Sequence, residues 1–137
     1  MKLIVCIDDN NGMAFHSRRQ SSDRKVLLKI EELVKSKKVW VHPYSQRLLG
    51  NIDADICVDS HFLEVASGED FCFAEVTDVT TCFSKMDEIV IFRWNRKYPA
   101  DLHFPMQLLS ECWKMTSSFT FTGNSHTEIT QETYLKC

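Results

Sequence analysis

Two short polar clusters contain the residues best suited to binding or catalysis. The first is Arg18-Arg19-Gln20-Ser21-Ser22-Asp23-Arg24, and the second is Arg93-Trp94-Asn95-Arg96-Lys97-Tyr98-Pro99. Guanidinium groups beside tryptophan and tyrosine are typical of a binding hot spot, and arginine can hold a carboxylate or a phosphate through two parallel hydrogen bonds. The alternative is that arginine–aspartate pairs only tie two loops together.

Asp23 is the candidate for acid–base catalysis. Catalysis would require an apolar pocket around this carboxylate and a substrate above it. A structural carboxylate in the first turn of a helix needs only the positive end of the helix dipole and a nearby cation, which Arg19 or Arg24 would supply. The structural role is favoured, and Asp23 is the catalytic residue only if the protein is an enzyme.

The remaining polar residues point to structure rather than chemistry. The five histidines are widely spaced in the sequence, so no local pair of zinc ligands is expected and no metal site is predicted. Asp8 and Asp9 predict a turn, and His42 with Tyr44 predicts an ordinary strand end rather than a small pocket. The six cysteines include no Cys-x-x-Cys pair, which favours reduced, structural thiols.

Composition limits the classes of function. A chain of 137 residues predicts one domain over 1–137, and a net charge of −3 argues against a nucleic-acid partner. The first apolar run is too short for a signal peptide or a membrane span, so we expect a cytoplasmic protein with no membrane partner.

The pattern of apolar residues predicts strands that alternate with helices and end in a hairpin. The predicted strands are Lys2–Ile7, Lys38–His42, Asp55–Asp59, Phe71–Val76, Glu88–Phe92, Trp113–Phe121 and Ile129–Leu135. The predicted helices are one from Ser21 or Ser22 to about Ser36, and short ones at Ser45–Leu49, His61–Ser67 and Thr77–Ser84. Gly12–Gln20 is predicted to be a loop. This order indicates an α/β sheet with an antiparallel edge.

Two stretches resemble dihydrofolate reductase. The opening IVCIDDNNGMAF is similar to that family's first strand and the loop after it, and Cys72–Pro105 is similar to its cofactor-side half, including an Asp-x-x-Phe-Pro motif at Asp101, Phe104 and Pro105. Asp23 falls near the family's active-site carboxylate. The resemblance implies a mixed, mostly parallel sheet flanked by helices, with a C-terminal antiparallel hairpin. The middle is shortened between Leu49 and Ile56 by about one strand.

The same resemblance implies that the cofactor site has degenerated. His42-Pro43-Tyr44-Ser45 stands where the family has Gly-Arg-x-Thr, and Ala74-Glu75-Val76 stands where it has glycines that approach the cofactor phosphates. Glu75 at about 4 Å from a phosphate charge would repel it by roughly 4 kcal/mol at an effective dielectric of about 20. Phe92 replaces a threonine near the carboxylate. No NADPH or other cofactor is therefore expected.

These losses favour a non-catalytic binding module, for example a regulatory or toxin-neutralising immunity protein, over an enzyme. Its predicted partner is a protein or an anionic small ligand, bound on one face by Arg18, Arg19, Arg96, Lys97, Trp94 and Tyr98. A homodimer through an exposed strand edge is a further option.

Two alternatives come from other classes of function. One is an NAD(P)H-dependent reductase with an altered cofactor site, in which Asp23 supplies a proton. The chain also resembles short bacterial proteins labelled ribonuclease Z, but the dispersed histidines do not provide the His-x-His-x-Asp-His run that a two-zinc nuclease needs.

Overall fold

A computed structural model describes residues 1–110 and 112–137, and within these ranges the chain forms ten strands and three α-helices. The strands are β1 (Lys2–Ile7), β2 (Gly12–Phe15), β3 (Arg18–Arg19), β4 (Lys38–Val41), β5 (Asp55–Val58), β6 (Phe71–Ala74), β7 (Glu88–Arg93), β8 (Leu102–His103), β9 (Trp113–Phe121) and β10 (Ile129–Lys136). The α-helices are α1 (Arg24–Val34), α2 (Gln46–Leu49) and α3 (Phe62–Val65). Short 3-10 helices cover Pro43–Ser45, Thr80–Lys85 and Met106–Leu109.

Seven of the strands form one mixed sheet in the order β5-β4-β6-β1-β7-β10-β9. The first five pair in parallel, and β10 runs antiparallel to both β7 and β9. The predicted fold class, a mostly parallel sheet that ends in an antiparallel hairpin, is confirmed. In the shortened middle, only residues 50–54 separate α2 from β5.

The core lies on both faces of this sheet, because the central strands have no face open to water. β1 alternates between the two faces, with Leu3 and Val5 in one apolar cluster and Ile4 in the other. The helix α1 covers the second cluster with Val26, Ile30 and Val34, which repeat at the spacing of one helical face.

A smaller three-stranded sheet, ordered β3-β2-β8, contradicts the prediction of a loop over Gly12–Gln20. Phe15 pairs with Arg18, so the connection is a two-residue turn made of His16 and Ser17. Such turns usually carry Asn-Gly, which tolerates the required backbone conformation, and the missing signal explains why the hairpin was not predicted.

The element boundaries differ from the predicted ones by a few residues. Asp23, rather than Ser21 or Ser22, is the N-cap of α1, because its side chain accepts a hydrogen bond from the backbone N–H of Lys25. The helix ends at Val34, and Ser36 follows with a positive φ of 59°. The predicted elements therefore follow one another in the predicted order, and β2, β3 and β8 are additional strands that were not predicted.

Candidate functional site

The candidate site lies where three parallel strands end. Asp8 follows β1, Glu75 follows β6, and Trp94 follows β7, while Asp23 begins α1 beside them. The carboxyl ends of parallel strands are the usual location of ligand sites in open α/β sheets. Asp8, Asp23 and Glu75 are nevertheless buried, each less than 9% exposed.

Asp23 is held by five hydrogen bonds. Its carboxylate accepts from the backbone N–H groups of Lys25, Asn124 and Ser125 at 2.8–2.9 Å, from the Ser125 hydroxyl at 3.2 Å, and from Nδ1 of His126 at 2.9 Å. Burial raises the pKa of Asp23, but the hydrogen bonds from Asn124, His126, Ser125 and Lys25 outweigh it and hold that pKa well below its usual range. The carboxylate is therefore ionised, and both of its oxygens already accept hydrogen bonds from the protein.

His126 continues this network toward the surface. Because a carboxylate only accepts hydrogen bonds, Nδ1 carries a hydrogen, and Nε2 faces the hydroxyls of Ser21 at 3.1 Å and Tyr98 at 3.0 Å. The imidazole also stacks on Trp94, with the ring centroids 4.6 Å apart. The hydrogen bonds thus run from Asp23 to His126 and on to Ser21, as they do among the residues of a serine hydrolase triad. The Tyr98 hydroxyl, however, also lies within hydrogen-bond distance of Nε2 of His126.

Glu75 makes a second buried network. Its two carboxylate oxygens accept from Nε and Nη2 of Arg19 at 2.8 and 2.9 Å, and one of them also accepts from the Ser45 hydroxyl at 2.7 Å. The Arg19 guanidinium lies 4.7 Å from the centre of the Tyr44 ring. The hydrogen bonds that Arg19 donates to Glu75 raise the pKa of Arg19 by more than desolvation lowers it, so this guanidinium stays charged.

Very little space remains between these networks. The gap lined by Asp23, Glu75 and Trp94, together with Leu27 and Phe73, has a volume of about 10 Å³. Phe92, which stands in the predicted substrate region, is fully buried and packs against Phe121 with ring centroids 6.5 Å apart. The region that could have been a cleft is filled by side chains.

Asp8 fixes the loop after β1 to the loop after β7. Its carboxylate accepts from the backbone N–H groups of Asn10, Gly12 and Tyr98 and from the Gln20 side chain. Burial raises the pKa of Asp8, and these hydrogen bonds lower it by more, so that it lies below its usual range. The predicted turn at Asp8 is confirmed, and the hydrogen bond from Tyr98 brings the two loops into contact.

A large open hollow lies beside these networks. It has a volume of about 590 Å³, and it is lined by Phe15, His16, Arg18, Arg19, Gln20, Tyr98 and Pro99. His16 and Ser17, at the tip of the β2–β3 hairpin, both have positive φ angles, 51° and 59°. The Phe15 ring is exposed and stacks on the imidazole of His16 at 3.8 Å.

The predicted partner-binding residues divide into three groups. Arg18, Arg96 and Lys97 are exposed, and Tyr98 is half-buried at the edge of the hollow. The prediction that Trp94 lies on this face is wrong, because its ring is 3% exposed and covered by His126. Arg19 lines the hollow, but its guanidinium is already paired with Glu75 rather than with an aspartate.

The residues of the predicted degenerate cofactor site belong to a helix start and a strand end. His42 caps the first 3-10 helix by accepting from the N–H of Tyr44, and Pro43 begins that helix. Ala74 is buried at the end of β6, and Val76 is half-buried. Among residues 1–110 and 112–137, no group of three His, Cys, Asp or Glu side chains is arranged to hold a metal ion.

Sequence reasoning missed His126 and the pairing of Arg19 with Glu75. The partners in these contacts are separated by 103 and 56 residues, and no local pattern links them. Only the topology, which brings the loop after β9 over the start of α1, joins Asp23 to His126.

None of the helices in the described part of the chain is long and apolar enough to cross a membrane. No family model matches the sequence, and no curated protein matches it either. A search of solved structures finds a dihydrofolate reductase from Enterococcus faecalis complexed with NADP(H) and RAB-propyl, with a TM-score of 0.72. The two sequences are 11% identical, and the match covers 98% of this chain and 95% of that chain. The protein therefore has a dihydrofolate reductase-like α/β fold.

Proposed function

We propose that this protein is a non-catalytic binding module, a pseudoenzyme on a dihydrofolate reductase-like fold. Its partner is a protein or a small ligand that presents carboxylate or phosphate groups. The observation that carries the proposal is the filled region between Asp23, Glu75 and Trp94, where about 10 Å³ remains. Pockets for small molecules have volumes of about 300–1,000 Å³, so a substrate would have to displace packed side chains.

The ionic groups of this region also argue against a ligand there. Asp23 and Glu75 already have all their strong partners inside the protein, and both are less than 9% exposed. A ligand that displaced Arg19 would leave the buried Glu75 carboxylate without its ionic partner, which costs roughly 3–5 kcal/mol. A ligand that displaced His126 would remove one of the five hydrogen bonds that hold Asp23. The networks therefore stabilise the closed arrangement.

The surface that remains for binding is the hollow beside the β2–β3 hairpin. Arg18 lines it, and the exposed Arg96 and Lys97 lie on the loop that Asp8 fastens to the same region. Asp9 and Asp101 are also exposed near this surface, and Glu128 lines a shallow hollow with Arg96, so the three cations lie among three exposed carboxylates. The exposed Arg18 guanidinium lines the hollow, and it is the group on this surface that favours an anionic partner.

The hairpin itself is built in a way that suits recognition. Two consecutive residues other than glycine with positive φ cost on the order of 1 kcal/mol each, and they persist only where the surroundings hold them. The N–H of His16 donates to Asp101 at 3.1 Å, and the N–H of Arg19 donates to the Tyr44 hydroxyl at 3.0 Å. Phe15 and Arg18 are thus held in place before a partner arrives, which reduces the entropy cost of binding.

The proposal is tested by charge reversal on this surface. Immobilised wild-type protein and the double variant Arg18→Glu/Arg96→Glu are used to capture partners from a lysate of the source cells, and the captured proteins and small molecules are identified by mass spectrometry. Arg19 is left unchanged, because replacing it would break the pair with Glu75 and confuse loss of folding with loss of binding. We expect a partner on the wild type that is lost from the double variant.

Lys114→Glu is the matched control, since Lys114 is an exposed cation on β9, in the other sheet. The control should retain the partner. Equal capture by wild type and by the folded double variant would exclude the surface, and capture lost equally in the control would show only a dependence on total charge.

A further inference from the structure

Two exposed cysteines lie opposite each other at the end of the β9–β10 hairpin. The antiparallel register runs to Lys136 opposite Trp113, and one step further places Cys137 opposite Cys112. The backbone N–H of Cys137 donates to the carbonyl of Cys112 at 2.7 Å, so the pairing continues to this position. Both thiols are exposed, and neither is in a disulfide.

This placement matches the geometry that a disulfide requires. Directly opposite residues of an antiparallel pair have Cα atoms about 4.5–5.5 Å apart, and their side chains project from the same face. Disulfides join residues whose Cα atoms are about 4.4–6.8 Å apart. A bond between these two sulfurs therefore needs only side-chain rotation and a small closure of the strand ends.

The other cysteines are in different surroundings. Cys72 and Cys82 are buried, and Cys6 and Cys57 are partly buried. Burial raises the pKa of Cys72 to about 12 and also raises the pKa of Cys6 and Cys57 above the usual value, which lowers their thiolate content and their reactivity. The expectation of reduced structural thiols applies to these four residues.

We propose that Cys112 and Cys137 form a reversible, redox-sensitive disulfide that fastens the edge strand β9 to β10. The oxidant is a low-molecular-weight disulfide such as oxidised glutathione. The thiolate of one cysteine attacks a glutathione sulfur, which forms a mixed disulfide and releases one glutathione thiolate. The thiolate of the second cysteine then attacks the protein sulfur of that mixed disulfide and releases the second glutathione. The two protein thiols lose two electrons and two protons, and one glutathione disulfide becomes two glutathione thiols.

The position gives the bond a structural consequence. β9 is the outermost strand of the seven-stranded sheet, paired on one side only, and its residues are largely exposed. Near the cysteines this edge is held by the Trp113 ring against Phe83 and by Lys136, whose Nζ donates to the carbonyl of Ser84. A covalent link at the same end would fix β9 further, and its exposure keeps it accessible to reductants.

The test uses the full chain, first reduced and then equilibrated with glutathione buffers of increasing oxidised fraction. Free thiols are blocked with N-ethylmaleimide, and the mass of the intact protein is measured. The protein is then digested with pepsin at acidic pH, and its peptides are mapped. The wild type should lose two hydrogens and give a cross-linked peptide that contains Cys112 and Cys137. The melting temperature should rise by about 10 °C on oxidation, because the link closes a loop of some 25 residues in the unfolded chain.

Three variants separate pairing from general thiol reactivity. Cys112→Ser and Cys137→Ser should each retain one glutathione on the remaining cysteine and show no rise in melting temperature. Cys57→Ser, which removes a partly exposed thiol on β5, should behave as the wild type does. A wild type that stays reduced in fully oxidised glutathione, carries stable glutathione on both residues, or links either residue to another cysteine or another molecule would overturn the proposal.

Discussion

Asp23→Asn is the sharpest test of the network that closes the candidate site. The substitution keeps the size of the side chain and replaces one acceptor oxygen with a donor N–H₂ group. The Oδ2 oxygen now receives hydrogen bonds from Ser125 and from Nδ1 of His126 at 2.8–3.2 Å. In one orientation, the N–H₂ group of the new side chain takes the place of Oδ2 and cannot accept hydrogen bonds from Ser125 and His126. In the flipped orientation, it takes the place of Oδ1, and the hydrogen bonds from the N–H groups of Lys25 and Asn124 are lost instead.

The expected loss follows from the number of orphaned donors. Two donors left without partners in this largely buried network cost about 1–3 kcal/mol each, so the free energy of unfolding should fall by about 3 kcal/mol at pH 7. For a domain of 137 residues, this corresponds to a fall in melting temperature of about 10 °C. Urea unfolding followed by tryptophan fluorescence measures the difference directly, since Trp94 packs on His126.

The pH dependence provides a second, independent readout. The pKa of Asp23 is lower in the folded protein than its unfolded value of about 3.9, so its contribution is complete above that value and is lost as the pH falls toward the folded pKa. The difference in free energy of unfolding between the wild type and Asp23→Asn should therefore be largest near pH 7 and should decrease below about pH 4.

Asp9→Asn is the matched control, because Asp9 is an exposed aspartate that undergoes the same chemical change. It should alter the free energy of unfolding by less than about 0.5 kcal/mol. A change below about 0.5 kcal/mol in Asp23→Asn at pH 7, or a difference that stays constant down to pH 3, would refute the assignment of Asp23 as the ionised centre of this network.

Three further substitutions test other contacts. Glu75→Gln should lower the free energy of unfolding by about 1–2 kcal/mol, because it weakens a bidentate contact with the partly exposed Arg19. Urea unfolding measures this change, with Glu128→Gln at an exposed site as the control. Gly123→Ala should cost about 2–3 kcal/mol, since the new Cβ would lie 2.7 Å from Asp23 Oδ2 and from the His126 carbonyl oxygen, and unchanged thermal stability would contradict that packing. Ser17→Gly should stabilise the hairpin by about 0.5–1 kcal/mol in thermal unfolding, because Ser17 has a φ of 59°, and a destabilisation would show that the turn is not strained.

Sequence patterns predicted the fold because its elements are encoded locally. The run Lys2–Ile7 is apolar and β-branched, and it forms β1 with the predicted bounds. Val26, Ile30 and Val34 repeat at helical spacing and are buried in α1. The long hairpin of β9 and β10 was also predicted, since two β-rich segments flank a turn that contains Gly123.

The candidate site was predicted less well, because its contacts join distant parts of the chain. Asp23 was identified as a structural carboxylate, but its partner proved to be His126 rather than an arginine. Glu75 was identified as incompatible with a cofactor phosphate, and the side chain that compensates its charge, Arg19, had been assigned to the binding surface. Local propensity determines elements, whereas charge pairing in a buried region is determined by tertiary packing.

We propose that the filled region between Asp23, Glu75 and Trp94 holds no cofactor. The most direct measurement is a titration of the wild-type protein with NADPH up to millimolar concentration, followed by fluorescence transfer from tryptophan to the nicotinamide. Dihydrofolate turnover is measured in parallel by absorbance, with the Enterococcus faecalis enzyme as the positive control. We expect no saturable transfer and no turnover above background. Saturable transfer together with dihydrofolate reduction that Asp23→Asn abolishes would contradict the proposal.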